Sequence, residues 1–190
     1  MEKYLDEGLI ALLPVYTATD RAIVVTGKGE HREGRTVPWL IEKLANHYSM
    51  NINTLRQRYG DLTKVKKHVT IPIKSDIVMI PVKTRTAIAP GETTVGYCNL
   101  LQVDHVLEED DPGSAFLSAM VCRNGYKLQT LNTAETLRDK IRKGEQARQH
   151  FLQQRCLGPA HAGINISDIK LPNCECLLLD IAKNILKIDE

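Results

Sequence analysis

An α+β fold, a mostly antiparallel β-sheet with flanking helices, is predicted by three features of this 190-residue chain. Two apolar, β-branched runs, Val69–Ile73 and Ile77–Val82, are joined by Lys74-Ser75-Asp76, a short polar turn that favours an antiparallel hairpin. Asn124-Gly125 stands between the runs Ala115–Cys122 and Tyr126–Leu131; a type I′ turn wants such a pair, because it needs positive φ at both central residues. Apolar residues recur at helical spacing over Val37–Tyr48 and Thr133–Arg155, on either side of the strand region.

Taken in order, Leu9–Tyr16 and Ala22–Thr26 are predicted strands. Gly27-Lys28-Gly29 through Gly34 is expected to be a polar loop. Thr36 is placed to cap a helix whose first turn holds Pro38, and Val37, Leu40, Ile41, Leu44 and Tyr48 make its apolar stripe. Ser49–Asn53 breaks that helix, and Thr54–Tyr59 suits a second short helical turn ending at Gly60. After the first hairpin, Thr84–Thr94 is a loop with Pro90-Gly91. Val95–Leu107 is a long strand candidate, followed by the acidic turn Glu108–Gly113. Asn132 with Glu135 three residues on resembles a capping box for the second helix. That helix carries Leu137, Ile141, Phe151 and Leu152 on one side, with Gly144 a weak point. Residues 1–156 are expected to form a single α+β domain. Residues 157–190 form a C-terminal extension with an amphipathic helix over Cys176–Ile188.

The composition is that of an ordinary globular protein, 43% hydrophobic and 25% charged. The segment MEKYLDEGLIALLPVY has neither the positive flank nor the length of a signal peptide, and no run approaches the ~20 apolar residues of a membrane span. A cytoplasmic protein with no membrane partner is therefore expected, its five cysteines reduced. Aromatic residues make up only 5%, which argues against a stacking platform for single strands.

The net charge of +2 hides a strong asymmetry. Residues 56–103 hold 8 Lys and Arg against 3 Asp and Glu, and residues 121–155 hold 8 against 3 again, so each segment carries +5. Cations concentrated beside a rigid sheet suit a polyanion, because each neutralised phosphate releases condensed counterions. A solvated basic face without a partner is the plain alternative.

Other motifs carry less. Gly27-x-Gly29 lacks the spacing of a phosphate-binding loop and is more economically a turn. Ile41–Tyr59 loosely fits a helix-turn-helix, with Ala45 at the tight position, Ser49-Met50-Asn51 as turn, and Asn53, Thr54, Arg56 and Gln57 facing base edges. Two ordinary helices beside a sheet are favoured instead. Cys156, His161, Cys174 and Cys176 could supply four zinc ligands, against reduced thiols with no metal. Cys98 and Cys122 are simplest as core residues. No G-x-S-x-G, H-E-x-x-H or paired-carboxylate pattern is present, so neither an enzyme nor a cofactor is expected.

Residues 56–150 resemble the competence transcription factor (ComK) family. The resemblance is carried by Gly60, Thr63, Lys66-Lys67 and Thr70-Ile71-Pro72-Ile73; by Met79-Ile80-Pro81-Val82 with Thr84; and by Cys98-Asn99-Leu100-Leu101 with His105-Val106. Asn124-Gly125, Thr133, Leu137, Lys140 and Lys143 extend it, while Asp61, Val82 and Leu100 stand where that family has Arg, Thr and Trp. The resemblance covers about half of the chain. It implies a transcription activator that binds A·T-rich duplex DNA as a homo-oligomer, largely through the minor groove.

The expected function is thus DNA-binding transcriptional regulation without catalysis. Arg56, Arg58, Lys64, Lys66, Lys67, Lys83, Arg85, Arg142 and Lys143 form the expected DNA-binding set, and the C-terminal helix is expected to mediate self-association. The competing function is a non-catalytic protein–protein interaction module, a competence or sporulation accessory that has lost DNA binding.

Overall fold

The structure, a computed structural model, describes residues 1–109 and 113–156, the side chains as far as Gln154. The chain divides into two units, Met1–Gln154 and Arg155–Glu190. The expected helix over Cys176–Ile188, the middle of the acidic turn, and the Cys156, His161, Cys174 and Cys176 side chains lie outside what is described.

The first unit is α+β. Strands β1 (Leu9–Pro14), β2 (Ala22–Thr26), β3 (Gly29–Glu33), β4 (Ile71–Lys74), β5 (Ile77–Lys83) and β6 (Val95–Asn99) form one antiparallel sheet in the order β3-β2-β1-β6-β5-β4. Strands β7 (Val103–Glu108), β8 (Ser118–Cys122) and β9 (Lys127–Thr130) form a second antiparallel sheet. The helices are α1 (Glu2–Asp6), α2 (Val37–His47), α3 (Ile52–Thr63) and α4 (Ala134–Cys156).

Both faces of the large sheet are covered, which is why β5 is a nearly unbroken apolar run. Its Ile77 and Met79 join a cluster with Leu40, Ile41 and Leu44 of α2 and Leu55 and Tyr59 of α3. Its Val78, Ile80 and Val82 join a second cluster with Met120 of β8, Leu128 of β9 and Leu137 of α4. Burying each such aliphatic side chain contributes about 1.5–3 kcal/mol, so the sheet anchors the core of the first unit. Helix α4 serves both clusters, since Ala147 and Phe151 belong to the first. Gly144, expected to weaken α4, is instead its point of closest approach to the core. A Cβ there would stand 2.8 Å from Ile80 Cγ2 and 3.1 Å from Leu100 Cδ2. Arg148 Nε donates to Ser75 O at 3.1 Å, tying α4 to the β4–β5 turn.

Several expectations are corrected. The strands do not form one sheet: β1–β3 continue the sheet of β4–β6, while β7–β9 make a second. The polar segment after Thr26 is not a loop throughout. Thr26 pairs with Gly29, and Gly29–Glu33 is an edge strand with a polar, largely exposed row that offers no apolar periodicity. The long strand over Val95–Leu107 is two strands in different sheets, separated by a 3₁₀ turn at Leu100–Gln102. The Asn124-Gly125 hairpin forms, but only Gly125 has positive φ (85°), so its turn is not type I′. The Gly125 amide donates to Cys122 O and the Cys122 amide to Tyr126 O, the pattern of a longer loop with glycine in the left-handed position. Helix α3 does not stop at Gly60, and α4 is capped by Thr133, whose Oγ1 accepts from the Thr136 amide at 3.2 Å. Asn132 accepts from the Lys83 amide at 2.8 Å instead.

Candidate nucleic-acid interface

The local chemistry of α3 sets the site. Asn51 caps the helix by accepting from the Asn53 and Thr54 amides at 2.9 and 3.1 Å. At the other end Lys64 is left-handed (φ 55°), and the Val65 amide donates to Gly60 O at 2.9 Å, so the chain folds back across the helix. Gly60 permits this contact, since a Cβ on it would meet Val65 O at 2.9 Å. His68 is left-handed too (φ 54°). The loop from Lys64 to Thr70 is thereby held as a ridge that raises Lys64, Lys66 and Lys67 into solvent.

Three depressions meet along this ridge. Arg56, Gln57, Asp61, Lys64 and Lys66 line one of about 470 Å³. Arg56, Lys66, Lys67 and His68 face a larger one of about 690 Å³, against Val37, Pro38 and Thr93–Val95. Lys67 and His68 also line a third of about 270 Å³, whose far wall is Thr136, Asp139, Lys140 and Lys143 of α4. Shared lining residues make the three one continuous basic tract. It joins the +5 segment at 56–103 to the cationic residues of α4, Lys140 lying 73 residues beyond Lys67.

The nine expected DNA-binding residues divide. Arg56, Lys64, Lys66 and Lys67 line the tract, and among the described residues none of them is in an ion pair. Arg56 stands beside the Tyr97 hydroxyl, whose pKa burial raises and Arg56 partly draws back. Lys83 is exposed on β5, two residues from Pro81 and so on the same strand face as that wall residue of the third depression. Lys143 reaches the tract but is bound to Asp139 at 2.7 Å, as is Arg142 at 2.6 Å. These two cations hold the Asp139 carboxyl below its usual range, Lys143 contributing more.

Arg58 and Arg85 are not in the tract. Arg58, two helical residues from Arg56 and therefore turned well away, donates to Gln154 at 2.8 Å. Arg85 is 17% exposed, paired with Glu92 at 2.9 Å and stacked over the Tyr16 ring at 4.7 Å, where it braces the Thr84–Thr94 loop.

Lys140 was not in the expected set, yet it stands in the third depression, more buried than the ridge lysines and in no ion pair among the described residues. Burial, then the neighbouring Lys143, lowers its pKa. Its place three residues after Leu137, at the edge of the apolar stripe, was the available signal.

His68 is the pH-sensitive member. Partial desolvation, then the Lys140 and Lys67 charges, holds its imidazole below the ordinary value of 6.5. The unfolded chain therefore binds a proton that the folded chain resists. Stability should fall as pH drops below about 6.5, until the folded value is passed. Thermal unfolding between pH 7 and 5.5 is expected to be less pH-dependent in His68→Gln than in the natural chain. A bound phosphate should reverse the shift, moving the His68 ring titration upward in an NMR experiment with duplex present. A His68 titration at or above 6.5 without duplex would contradict this.

Among the described residues no three His, Cys, Asp or Glu side chains meet as a metal site requires, and no helix is long and apolar enough to cross a membrane. Comparisons with family models, with curated proteins and with solved structures gave no match.

Proposed function

We propose that this protein binds duplex DNA through the basic tract and regulates transcription without catalysis. The observation that carries this is the tract itself: Arg56, Lys64, Lys66, Lys67 and Lys140, from three separate elements, converge with no ion-pair partner within it among the described residues. Folding normally disperses like charges or pairs them, so unpaired cations gathered along a ridge are what an extended polyanion would neutralise. The left-handed Lys64 of the ridge adds support. Glycine or asparagine would hold the same backbone at lower cost, so its charge is a reason for its presence.

The likeness to the competence transcription factor family favours the same function and adds its finer terms: A·T-rich DNA, activation, and a cytoplasmic homo-oligomer. Lysine and arginine entering a narrow A·T-rich minor groove would supply the sequence preference. The oligomer rests on the apolar pattern of Cys176–Ile188, outside the described residues.

Lys66→Ala with Lys67→Ala tests the site. Both side chains are exposed and in no ion pair among the described residues, so the fold should survive. Affinity for duplex DNA is expected to fall about 10- to 100-fold near 0.1 M salt, equally on all sequences, with the salt slope reduced by about 2. An unchanged affinity in the folded double variant would remove the ridge from the interface and favour the protein–protein module.

A further inference from the structure

The largest of these three depressions has properties that an extended duplex would not use. Its volume of about 690 Å³ falls within the roughly 300–1,000 Å³ of pockets that enclose small organic ligands. Its inner wall is apolar: Val37, Val69 and Tyr97 are 1%, 5% and 7% exposed. Its rim is cationic, with Arg56, Lys66 and Lys67. Glu92 lies in the lining but does not cancel them, because it already accepts from Arg85 and from the Ile88 amide, each at 2.9 Å. The start of α2 opens on the same space through Val37 and Pro38. The Thr36 hydroxyl makes no capping bond there, so nothing from that side chain offsets the helix's positive end. An apolar wall with a cationic rim suits a molecule that carries an apolar or ring-shaped body and one anionic group. Arg56 offers a planar fork that matches phosphate geometry.

We propose that this pocket binds a small organic phosphate, a phosphomonoester of about nucleoside-monophosphate size. Its phosphate lies against Arg56, Lys66 and Lys67, and its body against Val37, Val69 and Tyr97. The proposal goes beyond DNA binding and does not depend on it, though an occupant would cover Arg56 and Lys66 and so compete with a duplex.

The test is calorimetric titration of the full chain with adenosine 5′-monophosphate, adenosine and inorganic phosphate. The monophosphate should bind at least about tenfold more tightly than either part alone, because only it engages both wall and rim. Arg56→Gln should weaken it about tenfold, and Lys66→Ala, at an exposed position that the fold does not need, should act in the same direction. Lys28→Ala, which removes one charge at the β2–β3 turn, should leave the affinity unchanged. Equal affinity for the monophosphate and inorganic phosphate would overturn the proposal, as would no binding, or equal effects of Lys66→Ala and Lys28→Ala. A chain that takes the monophosphate but no duplex would refute DNA binding alone; one that binds duplex but no monophosphate would refute the pocket alone.

Discussion

Affinity for duplex DNA is expected to fall about 10³-fold between 50 and 200 mM salt, with a log–log slope near −5. The slope follows from the number of cations free to meet phosphates. Arg56, Lys64, Lys66, Lys67, Lys83 and Lys140 are in no ion pair among the described residues. Each neutralised phosphate of B-DNA contributes about 0.9 to the slope, so six contacts give about 5. The full expected set would have given more, but Arg85 is committed to Glu92, and Arg142 and Lys143 share Asp139. A slope near −8 would mean that those pairs open on binding. A slope near zero, or no binding at 50 mM, would rule out duplex DNA as the partner and leave the tract a solvated face.

The site was legible as far as charge density goes, because +5 within residues 56–103 is a local property of the chain. What the sequence hides is pairing through space. Arg85 and Glu92 lie only seven residues apart, yet both hold ordinary places in a loop until Tyr16, from another strand connection, stacks beneath the guanidinium. Lys140 faces Lys67 only because α4 closes over the sheet. The elements divide in the same way. Helix α2 and the β4–β5 hairpin follow from signals a few residues long, the spacing of Leu40, Ile41 and Leu44 and a two-residue Ser75-Asp76 turn between paired Lys74 and Ile77. Strand β3 has no apolar pattern of its own and exists because β2 offers it an edge. The end of β6 is fixed by contacts made by one residue, Asn99, with partners as far as 90 positions away.

Asn99→Leu is expected to destabilise the folded domain by about 3–5 kcal/mol, measured by urea unfolding. Asn99 is 3% exposed, and its side chain serves four backbone groups. Oδ1 accepts from the Val78 amide at 3.1 Å and the Leu101 amide at 3.4 Å. Nδ2 donates to Asp76 O at 3.1 Å and Leu9 O at 3.4 Å. Leucine keeps the same branched heavy-atom skeleton but can neither donate to nor accept from these groups at the corner where β6 turns out of the sheet, and each buried group so orphaned costs about 1–3 kcal/mol. The two 3.4 Å bonds are long, so the Val78 and Asp76 partners dominate and the total stays below four full penalties. Asn99→Asp separates the two halves of the amide. It keeps an acceptor for the Val78 and Leu101 amides but loses both donated bonds and, when ionised, buries a charge. Its loss should therefore grow as pH rises through the carboxyl pKa, whereas that of Asn99→Leu should be flat with pH. A cost below about 1 kcal/mol for Asn99→Leu would mean that the 3₁₀ turn at Leu100–Gln102 ends β6 unaided. A large cost with an unchanged DNA salt slope in the remaining folded protein would separate the corner that holds the sheets from the ridge proposed to meet phosphates.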